Sequence, residues 1–339
     1  MRKIELLDCT LRDGGYVNNW HFGSNNIKNI ITSLQESNIE YIECGFLTNS
    51  IDNYDNNFSL FITPNNIKET VKFCNSKIAL MIKVGDFCIE NLTPNENTNI
   101  SIIRLAFHKE DIKKVDNYVK EIKSKGYKLF IQPTNIMSYT REEIINLLSI
   151  CNTLWKPDGM AIVDTLGEMN TQDIIKTTKL FDIHLNPKTK LIFHGHNNMQ
   201  MAFSNAINFI ETVTSARDII IDTSLVGMGR DAGNTCTELM TIYLNQHYKA
   251  NYNYKNILKI INDVVLKYKD KYEWGYTPMF LLNAIKKVHP KYGQVFRRES
   301  KEHNLLHLEY LLDNIPIDNR YCFNKDIANK ILNNNRGDN

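Results

Sequence analysis

Ile4-Glu5-Leu6-Leu7-Asp8-Cys9-Thr10-Leu11-Arg12-Asp13-Gly14-Gly15, close to the amino terminus, is a short apolar-rich run that ends in a cation beside an acid and then two glycines. The run predicts a strand over residues 4–9. The glycines predict a turn with positive φ that brings the backbone close to a ligand. Alone, Arg12-Asp13 reads as a surface turn as readily as an active-site element. The signal that changes this stands far down the chain, in Ile192-Phe193-His194-Gly195-His196-Asn197-Asn198.

Between the two stretches, β-rich runs recur, each followed by helical periodicity. Strands are expected over 4–9, 41–44, 78–83, 101–106, 128–132, 159–163, 190–194 and 219–223. Helices are expected over 25–37, 64–74, 109–125, 141–151, 171–181, 199–212 and 235–248. Thr140 before Arg141-Glu142-Glu143 reads as an N-cap, and Lys125-Gly126 as a helix end. Strand-then-helix units spaced by roughly 25 to 40 residues, eight times over, are what a parallel (β/α)8 TIM barrel requires. A doubly wound open sheet competes, but no G-x-G-x-x-G follows the first strand.

Past about residue 251 the pattern turns to helices without strands. Ile257, Leu258, Ile260, Ile261, Val264, Val265 and Tyr268 make one apolar face, Thr277-Pro278 opens a second helix, and Leu305, Leu306, Leu308, Leu311 and Leu312 suggest a third. The expected organisation is a TIM-barrel catalytic domain at 1–250 and a helical C-terminal region at 251–333 that caps the site, forms a homodimer interface, or both. The Asn-rich end, 334–339, reads as a flexible, frayed tail.

The 339 residues are 42% hydrophobic and 23% charged, values of a soluble globular chain. Formal charge is +2, with Lys and Arg dispersed, which argues against a nucleic-acid or acidic-membrane partner. Cysteines at 9, 44, 74, 88, 151, 236 and 322 are odd in number and lack C-x-x-C spacing, so neither a disulfide framework nor a zinc knuckle is expected. They read as thiols in a reducing cytoplasm. Glu5 and Asp8 interrupt any signal-peptide core, and no run approaches the roughly 18 apolar residues of a membrane span. A cytoplasmic enzyme of small-molecule chemistry is the expectation.

His194 and His196 are two apart on a strand, so both side chains point to one side. At the end of a barrel strand that side is the pocket, where two imidazoles suit a divalent transition metal as well as they suit an ordinary core. Asp13 ends strand one and Asn234 follows strand eight; in a closed barrel, strands seven, eight and one are neighbours. Carboxylate, imidazoles and an amide oxygen can therefore meet at one point. Such a set favours Mn²⁺ or Mg²⁺, with Co²⁺ or Zn²⁺ as alternatives, and leaves water positions open. The metal would act as a Lewis acid on a bound carbonyl and stabilise an enolate, with Arg12 as a fixed positive charge beside it. A rim salt bridge is the bland alternative for Arg12. Glu43, inside the apolar Tyr41-Ile42-Glu43-Cys44-Gly45-Phe46, needs a partner, and Arg12 is the nearest candidate. Thr165 in Val163-Asp164-Thr165-Leu166-Gly167 offers a hydroxyl to a substrate carboxylate, or merely caps a helix. The loop holding Gly227, Gly229, Arg230, Gly233 and Asn234 either binds phosphate or brings Asn234 to the metal.

These motifs together resemble the metal-dependent aldolases and lyases related to 4-hydroxy-2-oxovalerate aldolase and HMG-CoA lyase, a superfamily that includes isopropylmalate and homocitrate synthases. The resemblance rests on Asp8-Cys9-Thr10-Leu11-Arg12-Asp13-Gly14, Ile42-Glu43-Cys44-Gly45-Phe46, Asp164-Thr165 with Gly167, His194-Gly195-His196-Asn197, and Gly227-Met228-Gly229-Arg230 with Ala232-Gly233-Asn234. It implies a metal on Asp13, His194 and His196 with Asn234 as a further ligand, enolate stabilisation by Arg12, Glu43 as the acidic partner, and a 2-oxo acid carboxylate on Thr165. Small-molecule 2-oxo acid and aldehyde are the implied substrates. Two departures stand out. The histidine base of the hydroxy-oxovalerate aldolases, three residues beyond the metal aspartate, is replaced by Tyr16; Tyr16 itself, or His21 if the intervening loop folds over the pocket, is the candidate acid/base. No cysteine occurs between Gly227 and Asn234, which argues against HMG-CoA cleavage. The runner-up activity is a Claisen-type transfer from acyl-CoA to a 2-oxo acid. An inactive barrel acting as a binding partner is the non-enzymatic alternative, and it would have been free to lose Asp13 or His196.

Overall fold

A strand buried on both faces must satisfy two environments at period two. In β1 (Ile4–Asp8) Leu6 packs outward among the surrounding helices, while Leu7 joins the barrel interior. The same alternation runs through β2 (Tyr41–Leu47), β4 (Lys77–Lys83), β5 (Ile100–Phe107), β6 (Lys128–Pro133), β7 (Gly159–Asp164), β8 (Lys190–Gly195) and β9 (Ile219–Thr223). A two-residue β3 (Leu60–Phe61) lies beside the end of β2. All pairings are parallel, and β1 bonds to both β2 and β9, which closes the sheet. The computed structural model describes residues 2–96, 99–299 and 304–335. The fold is the TIM barrel the sequence predicts, with helices between the strands.

The alternation also stacks the interior in layers. Leu7, Tyr41, Ala79, Ile102, Phe130, Ala161, Ile192 and Ile220 form an apolar layer across the barrel. Two residues further along the same strands stand Glu43, Arg104, Gln132, His194 and Asp222, all buried. The polar site is thus one layer above an apolar floor, at the carboxyl ends of the strands.

Local signals behave as their chemistry requires. Thr140 accepts from the Glu143 amide at 3.2 Å while Glu143 accepts from the Thr140 amide at 2.8 Å, a reciprocal cap that starts the helix Arg141–Ile150. The glycines after Asp13 need a correction. Gly14 has φ −61 and Gly15 opens a helical turn, so neither uses positive φ. Their requirement is space: a Cβ on Gly15 would lie 2.0 Å from the Trp20 ring, and one on Gly14 3.0 Å from Met228 Cγ.

Beyond the barrel, Ile257, Ile260, Ile261, Val264 and Val265 pack into the barrel's outer core. The helices Pro278–Ile285, Pro290–Glu299, Leu305–Asp313 and Lys325–Asn334 instead share a second apolar cluster, built on Phe280, Tyr292, Phe296, Leu311 and Leu312. That cluster reaches the barrel through Ala232, in the loop after β9. Asn334, expected to begin the frayed tail, is helical; residues 336–339 of that tail lie outside the described residues. No described helix is long and apolar enough to cross a membrane.

Candidate active site

His194 is the last residue but one of β8 and His196 follows the strand, paired by a backbone bridge to Asn234. Their rings stand 5.1 Å apart, nearly perpendicular. The Asp13 carboxylate, delivered by the helical turn Thr10–Asp13 after β1, completes a buried trio whose donor atoms all lie within 4.8 Å of one another. His194 Nδ1 donates to Asp222 Oδ2 at 3.0 Å, which fixes the tautomer and leaves Nε2 as its open donor atom. His196 Nε2 is 3.9 Å from Asp13 Oδ2. Burial, with help from Arg230, His194 and Arg12, pushes the His196 imidazolium down to about 3 against the pull of Asp13, so the ring is neutral and its lone pair available. Burial would raise Asp13, but Arg12 foremost, with His196, His194 and Arg230, holds it well below the usual carboxylate range.

Asn234 Nδ2 donates to Asp13 Oδ2 at 2.7 Å, while its Oδ1 is buried with no hydrogen-bond partner among the described residues. His196 Nδ1 is likewise buried and unpartnered. Close approach here depends on Gly229, where a Cβ would lie 2.4 Å from Asn234 Nδ2 and 2.8 Å from Asp13 Oδ2. A buried carboxylate, two imidazoles and an orphaned amide oxygen around one point fit a divalent cation of mixed N/O preference.

Behind this trio runs a buried chain of charges. Arg12 contacts Asp13 through Nη1 and donates from Nε to Glu43 Oε2 at 2.7 Å. Glu43 Oε2 also accepts from Arg104 Nη1 at 2.8 Å, and Arg104 in turn contacts Asp222. The chain therefore leads from Asp13 back to His194. Carboxylates outnumber guanidiniums by one across Asp13, Glu43, Asp222, Arg12 and Arg104, a buried excess of negative charge suited to a cation.

Arg12, Asp13, Tyr16, Thr165, His194 and His196 line one cavity of about 430 Å³. Tyr16, 43% exposed, sits edge-on to Trp20 with ring centres 4.6 Å apart. Thr165 Oγ1 accepts from the Asn135 amide at 2.7 Å. His21 is elsewhere. The segment before it folds as a helical turn, Gly15–Asn18, and its exposed ring packs on Phe58 with centres 4.8 Å apart, outside the cavity lining.

Sequence reading misses Arg104 and Asp222, although each is a charge inside an apolar strand, in Ile102-Ile103-Arg104-Leu105 and Ile220-Ile221-Asp222. It also misses His289, Lys291 and Tyr321 of the C-terminal region, which line the same cavity. No local pattern marks those, because tertiary packing places them.

Fold and site define a TIM-barrel protein with a carboxylate–imidazole–amide donor set at its strand ends. Residues 3–264 match the HMGL-like family model, and the chain belongs to the HMGL-like family. It is 24% identical over 256 residues to 4-hydroxy-2-oxovalerate aldolase of Pseudoalteromonas translucida, covering 72% of this chain and 70% of that one. Against the 4-hydroxy-2-oxovalerate aldolase of Geobacillus genomosp. 3 it is 26% identical over 249 residues, covering 72% and 71%. Among solved structures it resembles the N-terminal domain of a Bacteroides vulgatus protein described as a candidate aldolase, with a TM-score of 0.73 at 25% identity over 86% of this chain and 96% of that one. The carboxyl transferase domain of Rhizobium etli pyruvate carboxylase shares the fold, with a TM-score of 0.67 at 12% identity over 93% of this chain and 55% of that one.

Proposed function

We propose that this HMGL-like chain, a carbon–carbon lyase by family, is a divalent-metal-dependent aldolase that works through the enolate of a pyruvate-type 2-oxo acid. The observation that carries the reading is the meeting of Asp13, His194, His196 and the orphaned Asn234 Oδ1 next to Arg12 in one cavity. Those four residues would hold the cation, Mn²⁺ or Mg²⁺ by donor preference. Bound there, it would supply Lewis acidity to the substrate carbonyl.

In cleavage of a 4-hydroxy-2-oxo acid, the hydroxyl proton leaves and the C3–C4 bond breaks. Its electron pair passes to C3 as the enolate, C4 departs as an aldehyde, and a proton returned to C3 gives the 2-oxo acid. Condensation is the reverse. Arg12 is pinned by Glu43 and Asp13, so its positive charge stands fixed where the enolate oxygen develops. The Thr165 oxygen is already engaged by the Asn135 amide, which leaves its proton to donate to the substrate carboxylate. Tyr16, in the cavity wall and half-exposed, relays the hydroxyl proton to water: its oxygen accepts as its own O–H gives up a proton outward.

Exchange of the pyruvate methyl protons in deuterium oxide, followed by NMR, tests this without knowledge of the aldehyde. The expected result is exchange with Mn²⁺ present and none after chelation. Full exchange in chelated protein would refute the mechanism, and no exchange in either case would shift weight to acyl-CoA as the partner.

A further inference from the structure

The outer half of the cavity is electrostatically unlike its floor. Lys83 ends β4, Arg230 follows β9, and Lys291 enters from the helix Pro290–Glu299, so three cations from distant parts of the chain line the one cavity. Apart from Asp13 on the floor, the carboxylate in that lining is Asp231, 3.3 Å from Arg230 Nε. Lys83 has Asp86 at 3.3 Å on its outer side, and Lys291 has no carboxylate partner among the described residues, resting instead over the Phe323 ring. Between them lies His289, whose Nδ1 accepts the Lys291 amide at 3.2 Å and whose Nε2–H is therefore its remaining donor. Its imidazolium is pushed down to about 3, by burial first and then by Arg230, His108, Lys291 and Lys83. A neutral aldehyde with a short alkyl tail needs none of this; apolar side chains would serve it better.

We infer that this rim binds an anionic group on the second substrate, so that the aldehyde partner carries a phosphate or a carboxylate. The inference rests on the aldolase reading for the word aldehyde, and on the rim alone for the word anionic. Lys83, Arg230 and Lys291 supply charge, and His289 Nε2–H supplies a donor of fixed direction.

The test uses the full-length, Mg²⁺-loaded protein with pyruvate and matched aldehydes: glycolaldehyde phosphate against glycolaldehyde, and succinic semialdehyde against butyraldehyde. One anionic member should exceed its neutral partner in kcat/KM by about 100-fold, and Lys291→Met should shrink that ratio about tenfold, the worth of one charge-assisted contact. Whichever pair shows the preference identifies phosphate or carboxylate as the source of the charge. Calorimetric titration with inorganic phosphate is the second readout, expected to bind wild type and to weaken about tenfold in Lys291→Met. Methyl-proton exchange without any anionic preference would overturn the inference and leave the aldolase reading standing. Absent exchange would sink the aldolase reading, and the phosphate titration would then decide the rim: binding weakened by Lys291→Met supports it, and binding indifferent to that change overturns it.

Discussion

Asp222 is the residue through which the buried charge network acts on the donor set, and its replacement by asparagine isolates that action. Asp222 Oδ2 accepts from His194 Nδ1 at 3.0 Å and also contacts Arg104. Asparagine keeps the shape and an acceptor oxygen but removes the charge that would make His194 a stronger ligand for the proposed cation. Loss of such a carboxylate partner lowers metal affinity about 10–100-fold, which is about 1.4–2.8 kcal/mol of binding free energy. The fold should survive. Arg104 retains Glu43 at 2.8 Å, so the destabilisation stays below the roughly 3–5 kcal/mol expected when a buried charge loses its only partner. Calorimetric titration of the chelator-treated protein with Mn²⁺ gives the affinity, and a thermal melt confirms folding. A folded Asp222→Asn protein that binds Mn²⁺ within about twofold of wild type would show that the network does not tune the site, against the expectation for outer partners of metal-bound imidazole.

Two further substitutions separate holding the cation from using it. His196→Ala should abolish Mn²⁺ binding in the same titration, whereas Arg12→Ala should retain it, because removing Arg12 makes the site more negative; pyruvate exchange in Arg12→Ala should fall about 10²–10³-fold, as for loss of one oxyanion donor. Equal damage to binding by both would contradict the division of roles. A pH prediction comes from Asp164, which burial, with Glu168, raises to about 8 despite the amides of Glu168 and Met169. The folded state thus holds this proton more tightly than the unfolded state, so Asp164 contributes a stability that is full below the ordinary carboxyl range and is lost as pH rises towards about 8. The melting temperature of Asp164→Asn relative to wild type should therefore rise between pH 5 and pH 8, by at most about 1.4 kcal/mol of stability per pH unit. A difference independent of pH in that window would show that Asp164 ionises freely in the fold.

The barrel was legible because it is written locally. Each stave is a short β-rich run with its own flanking turn chemistry, and caps such as Thr140 act within three residues of their partners. The two histidines were placed for a related reason: they stand at the end of β8, where period two fixes the side to which they point, whereas Asp13, read as the end of the first strand, reaches them from the helical turn Thr10–Asp13 beyond β1. What escaped was decided at longer range. Arg104 and Asp222 are visible as charges in apolar strands, but their meeting across the barrel depends on register, Arg104 being opposite Met81 and Phe130 and Asp222 opposite Leu7. His21 failed for the reverse reason, since a helical turn at Gly15–Asn18 took up the slack that a lid over the pocket would have needed. Helix starts at Pro290 and Lys325 were missed as well, and with the first of them the residues that line the cavity's outer wall.

The cavity draws on two parts of the chain, and its rim on both. Every proposed cation ligand, and every member of the network behind it, falls within residues 3–264, the part that matches the HMGL-like family. His289 and Lys291 lie beyond it, just before and within the helix Pro290–Glu299, in a helical region whose apolar cluster is separate from the barrel core and meets it at Ala232, two residues from Asn234. On the proposed reading, the buried excess of negative charge at the floor would have to be balanced before an anionic 2-oxo acid settled there, whereas the positive rim would attract an anion from the outset. Enolate chemistry would then be held at the strand ends, and the choice of second substrate would be shared between the barrel's Lys83 and Arg230 and the appended His289 and Lys291. A change at Lys291 should alter which aldehyde is taken without moving the atoms that make the enolate, and this separability is what the paired-aldehyde comparison measures.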